Sequence, residues 1–132
     1  MDFKGLKLLV TERNGNIRDL LRREFAEEGF EVDVAADASS LRDRLEARTG
    51  YALAVLDEEL PNAGAEPVLA MCSRLAPETP VILHVFPGGE REGREAGVAC
   101  VVEKSGDFER LKRAVFDVLS KRSARPCMER GR

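Results

Sequence analysis

LAVLDEELPNAG, residues Leu53 to Gly64, decides how the rest of the chain is read. Leu53–Leu56 is an apolar run of four β-compatible residues, the length of an interior strand rather than a helix. Asp57 follows where that strand should end, and Pro61 and Gly64 turn the chain shortly after. A carboxylate at the carboxyl end of a central strand, followed by a turn, stands where open α/β sheets place their chemistry. Taken alone, the stretch also fits a plain loop-capping aspartate.

Outward from this strand the chain alternates. On the amino-terminal side, Lys7–Thr11 (KLLVT) reads as a first strand. Asn14 can cap a helix whose Ile17, Leu20, Leu21 and Phe25 recur at helical spacing, and Gly29 ends it. Glu31–Ala35 (EVDVA) alternates like a strand with one partly wet face, near the sheet edge. Asp37 or Ser39 can start a second helix carried by Leu41 and Leu45 and stopped at Gly50.

On the carboxyl-terminal side, Glu66–Leu75 supplies Val68, Leu69, Cys72 and Leu75 for a third helix. Val81–Val85 (VILHV) is an apolar strand broken only by His84, which as a lone histidine in such a strand reads as a packed, hydrogen-bonded residue. Glu90–Ala96 (EREGREA) is a weak helix with Ala96 as its one apolar residue, and is expected to be short and irregular. Cys100–Val102 reads as a last short strand, with Cys100 as core filling. Asp107–Leu119 is an amphipathic final helix with Phe108, Leu111, Val115, Val118 and Leu119 on one face.

Five strands alternating with five helices predict a doubly wound, five-stranded parallel sheet in a three-layer sandwich. Right-handed crossovers then bring every strand's carboxyl end to one rim, gathering Thr11, Glu12, Arg13, Asp57, Val85 and Lys104.

Composition bounds the function. The 132 residues suit one domain, and 43% hydrophobic content fills a single core. Residues 121–132 hold five basic side chains and one acidic, so a net charge of −3 leaves −7 on the first 120 residues. An acidic body argues against nucleic acid as the domain's ligand, and residues 122–132 read as a basic, disordered tail on a domain of residues 1–121. Cys72, Cys100 and Cys127 are odd in number and widely spaced, which fits neither a disulfide framework nor a zinc site and suits a reducing cytoplasm. No apolar run approaches the ~20 residues that cross a bilayer. The opening MDFKGLKLLV is too short in apolar residues for a signal peptide.

From Lys7 to Lys121 the chain resembles the receiver domain of two-component response regulators, with a flavodoxin-like fold. The resemblance is carried by LLVTERNGNIRDLL (Leu8–Leu21), LAVLDEELPNAG (Leu53–Gly64), TPVILHV (Thr79–Val85) and EAGVACVVEKSGDFERL (Glu95–Leu111), in family order and at family-like spacing. It implies that Asp57 is the acceptor of a phosphoryl group from a histidine kinase. It also implies that Lys104, in the setting EKSG, is the lysine that neutralises the phosphoryl charge, although Ser105 follows where the family has proline. The family holds Mg²⁺ between two acidic residues after the first strand and the acceptor aspartate.

Here the pattern departs. The acidic pair falls on Glu12 and Arg13, and a guanidinium has no lone pair for a metal. The hydroxyl residue ending the fourth strand falls on Val85, or on Phe86 if the register slips by one, and the aromatic residue three before the lysine is Val101. Glu12 and Asp57 remain as metal ligands, so Mg²⁺ is expected to bind weakly or not at all. Glu12 and Asp57 balance Arg13 and Lys104 in charge, which suggests that Arg13 stands in the metal's place and pairs with Asp57. Glu59, two residues past the acceptor, can lean over the site.

Three functions compete. One is a phosphorylatable receiver, acting as an enzyme at most in phosphorylating and dephosphorylating its own Asp57. Another is a pseudo-receiver that binds a partner without phosphorylation. The last, a small α/β hydrolase or phosphatase, is poorest, because only Glu59 offers a second carboxylate near Asp57 and no phosphate-cradling glycine loop appears. The expected setting is cytoplasmic, with a histidine kinase or other signalling protein as partner, no membrane, and a homodimer compatible with the reading.

Overall fold

The computed structural model describes residues 3–60, 66–88, 98–121 and 127–129. Its elements run β1 (Lys7–Thr11), α1 (Gly15–Glu27), β2 (Glu31–Ala35), α2 (Ala38–Glu46), β3 (Leu53–Asp57), α3 (Val68–Leu75), β4 (Val81–Val85), β5 (Val98–Glu103), α4 (Glu109–Lys121) and β6 (Cys127–Glu129). All pairings are parallel, in the order β2-β1-β3-β4-β5-β6. The expected doubly wound α/β fold is present, with β2 at an edge as its alternation predicts. The expected helix over Glu90–Ala96 falls outside the described residues.

Local chemistry sets the element ends. The Asn14 side chain accepts from the Ile17 amide at 3.0 Å and starts α1, and Gly29, at φ 104°, takes the left-handed turn that leads into β2. Asp37, not Ser39, caps α2, accepting from the Ser40 amide at 2.9 Å while Ser40 Oγ takes the Asp37 amide at 3.3 Å.

Strand alternation divides the core into two layers. Leu8, Val10, Leu53, Val55, Ile82, Cys100 and Val102 face Leu21 and Phe25 of α1 and Leu111, Val115 and Leu119 of α4. Leu9, Ala54, Leu56, Leu83, Val85 and Val101 face Leu41 and Leu45 of α2 and Val68, Met71 and Cys72 of α3. Lys112 of α4 bridges to Glu24 and Glu28 of α1 at 2.7 and 3.2 Å, tying the two long helices together. At the amino-terminal end of the strands, Phe30 packs against Phe3, Phe25 and Phe116 at centroid distances of 6.3, 6.0 and 5.8 Å, and Phe3 stacks on Phe116 at 5.8 Å.

Two expectations are corrected. The sheet was expected to be five-stranded, but Cys127–Glu129 pairs with Cys100–Val102 and makes it six-stranded, and the other residues of the expected 122–132 tail fall outside the described residues. The segment follows a helix and lies parallel to β5, so α4 serves as one more crossover. Cys100 is fully buried as core filling should be, yet it is disulfide-bonded, and Cys72 is a free thiol. Among the described residues no helix is long and apolar enough to cross a membrane.

Candidate functional site

Parallel strands deliver Glu12, Arg13, Asp57, Val85 and Lys104 to one rim, as the crossovers require. Asp57 ends β3 with no solvent exposure. Its Oδ1 accepts from Lys104 Nζ and from the Glu59 amide, both at 2.9 Å, and its Oδ2 accepts from the Arg13 amide at 3.3 Å. Both carboxylate oxygens are therefore engaged within the chain.

Lys104 follows β5 and is placed by its own amide, which donates to the Val85 carbonyl at 2.7 Å. Its ammonium also lies 3.5 Å from Glu12 Oε1, an ion-pair distance without hydrogen-bond geometry. Glu12 is almost wholly buried, and its Oε2 accepts from the Asn14 amide at 3.2 Å. One ammonium thus serves two buried carboxylates.

Arg13 does not take the place expected of it. Its backbone amide reaches Asp57, but its guanidinium turns outward, 56% exposed, and pairs with Glu59 Oε1 at 3.3 Å. Water solvates a guanidinium at the rim far better than the packed space beside Asp57 could. Glu59 does lean over the site, its amide on Asp57 and its carboxylate on Arg13. With Glu59 included, the cluster carries one negative charge in excess.

Val85 and Val101 are buried in the α2–α3 layer and offer Asp57 no polar atom. Phe86, past the end of β4, is exposed, and its amide donates to Glu58 Oε2 at 2.9 Å. His84 is the register partner of Asp57 on β4 and is only 3% exposed. It is packed as expected, but its Nδ1 has no hydrogen-bond partner. Burial pushes its imidazole down to about 4, helped by the Lys104 charge and opposed by Asp57.

Two residues position the site in ways the sequence did not reveal, although Thr11 was expected at the rim. Thr11 Oγ1 donates to the Val55 carbonyl at 3.1 Å and accepts from the Asp57 amide at 2.8 Å, continuing the β1–β3 ladder with a side chain just beyond the Val10–Val55 pair. A buried threonine ending a strand beside the acceptor strand is the signal that could have found it. Arg18 Nη1 donates to the Glu12 carbonyl at 2.9 Å and fastens the loop into α1. Thr11→Val keeps the shape but orphans a buried amide and carbonyl, so we expect a loss of about 1–3 kcal/mol in urea unfolding.

No protein-family model matches the sequence. Solved structures do match. The response regulator TrrA of Thermotoga maritima, in complex with Mg²⁺-BeF, is 27% identical with a TM-score of 0.73, covering 86% of this chain and 98% of that one. TrrA matches with the same figures in its complex with the histidine kinase ThkA. The receiver domain of a Francisella response regulator is 21% identical with a TM-score of 0.76, covering 90% of this chain and all of that one. The fold of the chain is that of response-regulator receiver domains, the class to which these neighbours belong.

Proposed function

We propose that the chain is a response-regulator receiver of two-component signalling, with Asp57 at the phospho-acceptor position, Lys104 at the position of the charge-neutralising lysine, and Mg²⁺-dependent phosphorylation impaired. The observation that carries the reading is that both Asp57 oxygens are already occupied, by Lys104, Glu59 and Arg13. Phosphoryl transfer needs a free carboxylate oxygen in line with phosphorus and positive charge to offset the approaching anion. Lys104 supplies one such charge but shares it with Glu12.

The donor set fits Mg²⁺ poorly. A hard octahedral cation wants about six oxygens at ~2.1 Å. Here Glu12 Oε1 is the one buried carboxylate oxygen without a hydrogen bond among the described residues, and it faces an ammonium. Among those residues no cluster of three or more histidine, cysteine or acidic side chains is arranged to hold a metal. The bound Mg²⁺ of TrrA marks what a receiver can take up, and the complex of TrrA with ThkA supports a histidine kinase or similar signalling protein as partner here.

Incubation with acetyl phosphate and Mg²⁺, followed by intact-mass measurement, tests the proposal. We expect little or no mass gain of one phosphoryl group, and Mg²⁺ affinity weaker than millimolar by calorimetry. Stoichiometric phosphorylation lost in Asp57→Asn would establish a working acceptor and overturn the impairment. Arg13→Asp, which removes the guanidinium from Glu59 and adds an oxygen donor beside Glu12, is expected to tighten Mg²⁺ binding. The second reading, a phosphorylation-independent interaction module, is favoured by the Arg13–Glu59 pair, whose two members also hold Asp57 through their backbone amides.

A further inference from the structure

The carboxyl end of the chain holds a chemistry unrelated to Asp57. Cys100, in the middle of β5, is fully buried and disulfide-bonded. Cys72, on α3 in the opposite core layer, is a free thiol. Burial pushes it up to about 11, which leaves almost no thiolate for exchange. Of the three cysteines that leaves Cys127, and the β5–β6 register sets its backbone directly opposite Cys100. Paired strands lie ~4.8 Å apart, within the ~4.4–6.8 Å Cα separation that a disulfide spans.

We propose that Cys100 and Cys127 form a reversible disulfide that latches the C-terminal strand to the sheet edge, so that the redox state of the pair controls this end of the receiver. Formation runs by exchange with a small disulfide such as oxidised glutathione. One cysteine thiolate attacks a glutathione sulfur and expels the first glutathione thiolate. The second cysteine thiolate then attacks the protein sulfur of the mixed disulfide and expels the other. Two electrons pass from the cysteine pair to glutathione disulfide, and the two protons lost by the cysteines are matched by those taken up on two glutathione thiols. Reduction by a dithiol reverses both steps.

The fold makes the latch conditional. Cys100 has no solvent exposure, so exchange at its sulfur begins only when β6 lifts. β6 is three residues long, has one neighbouring strand and lies at the sheet edge, so its opening is a local event far easier than global unfolding. With the disulfide closed, residues 127–129 cover the outer edge of Cys100–Val102. With it open, that edge loses its covalent guard and presents unpaired backbone groups whenever β6 leaves. The sequence beyond α4, residues 122–132, carries four basic residues against one acidic.

The test uses the full chain equilibrated over a range of reduced-to-oxidised glutathione ratios. Intact mass, non-reducing peptide mapping and hydrogen exchange at the β5 amides are read at each ratio. We expect a chain lighter by two hydrogen atoms under oxidation, a peptide linking Cys100 to Cys127, and β5 exchange at least about tenfold slower than in the reduced chain. Cys127→Ser, which leaves the core cysteine untouched, should fold and should lose all redox dependence of exchange. Linkage through Cys72, absence of any intrachain disulfide at every ratio, or equal β5 exchange in the two states would overturn the latch. None of these readouts involves phosphorylation, so the latch stands or falls apart from the reading of Asp57.

Discussion

Lys104→Met is expected to destabilise the domain by about 3 kcal/mol at neutral pH, the largest single-residue effect at the rim. Breaking a buried ion pair by removing one member costs ~3–5 kcal/mol, because the partner is left charged and unpaired. Lys104 keeps 23% of its side chain in contact with solvent, which points to the lower end of that range. The loss is nevertheless large because one ammonium offsets both Asp57 and Glu12, neither of which has water to turn to. Asp57→Asn should cost much less, about 1 kcal/mol, since Lys104 then keeps Glu12 to itself. The double variant should recover part of the Lys104→Met loss, giving a coupling readable in a double-mutant cycle. Urea unfolding of the four proteins measures all of this. A Lys104→Met variant within about 0.5 kcal/mol of the parent would show that the shared ammonium holds nothing together.

Acidification from pH 6.5 to 4 should remove about 3 kcal/mol of stability through one residue, His84. The chain has a single histidine, and its imidazole is held neutral down to about 4 by burial first and the Lys104 charge second. In the unfolded chain the same imidazole takes a proton near ~6.5. Between these values the unfolded state binds a proton that the native state refuses, so stability falls as the pH falls, by ~1.4 kcal/mol per unit. Above pH 6.5 both states are neutral at this site and the contribution is flat. His84→Leu should abolish the slope between pH 6.5 and 5, and it also removes the unpartnered Nδ1 from the core. Chemical denaturation at three pH values measures the slope, and an equal slope in parent and variant would assign it to the carboxylates instead.

How far the sequence could be read depended on whether period or reach decides the outcome. β1, β2 and β4 fell where their alternation or continuous apolar runs put them, and Asn14 capped α1 as its side-chain oxygen allows. Asp57 and Lys104 met because strand ends converge on one rim whatever the loops do. Arg13 went elsewhere because a long side chain on that rim has two carboxylates within reach, and only packing in three dimensions excludes one of them. β3 and β5 ran longer than their apolar cores, since Asp57 and Glu103 are held in the ladder by neighbours rather than by their own strand preference. β6 was hidden for a related reason: three residues among basic ones carry no period, and their pairing is set by the edge that β5 offers. Thr11 was placed on the rim but given no task, because its hydroxyl acquires one only once β3 lies beside it.

The aromatic group at the amino-terminal end of the strands gives the domain a mechanical character that its chemistry does not reveal. Phe3 lies ahead of β1 yet stacks on Phe116, deep in the last long helix. Phe3 thereby couples the segment ahead of β1 to Phe30 and to α4 through side-chain packing, at the end of the sheet away from Asp57. At the opposite end α1 meets the rim through a polar contact, Arg18 being fastened to the Glu12 carbonyl. The domain thus has a base held by aromatic packing and a rim held by hydrogen bonds and buried ion pairs, so its amino-terminal segment is joined to α4 independently of the contacts that hold Asp57.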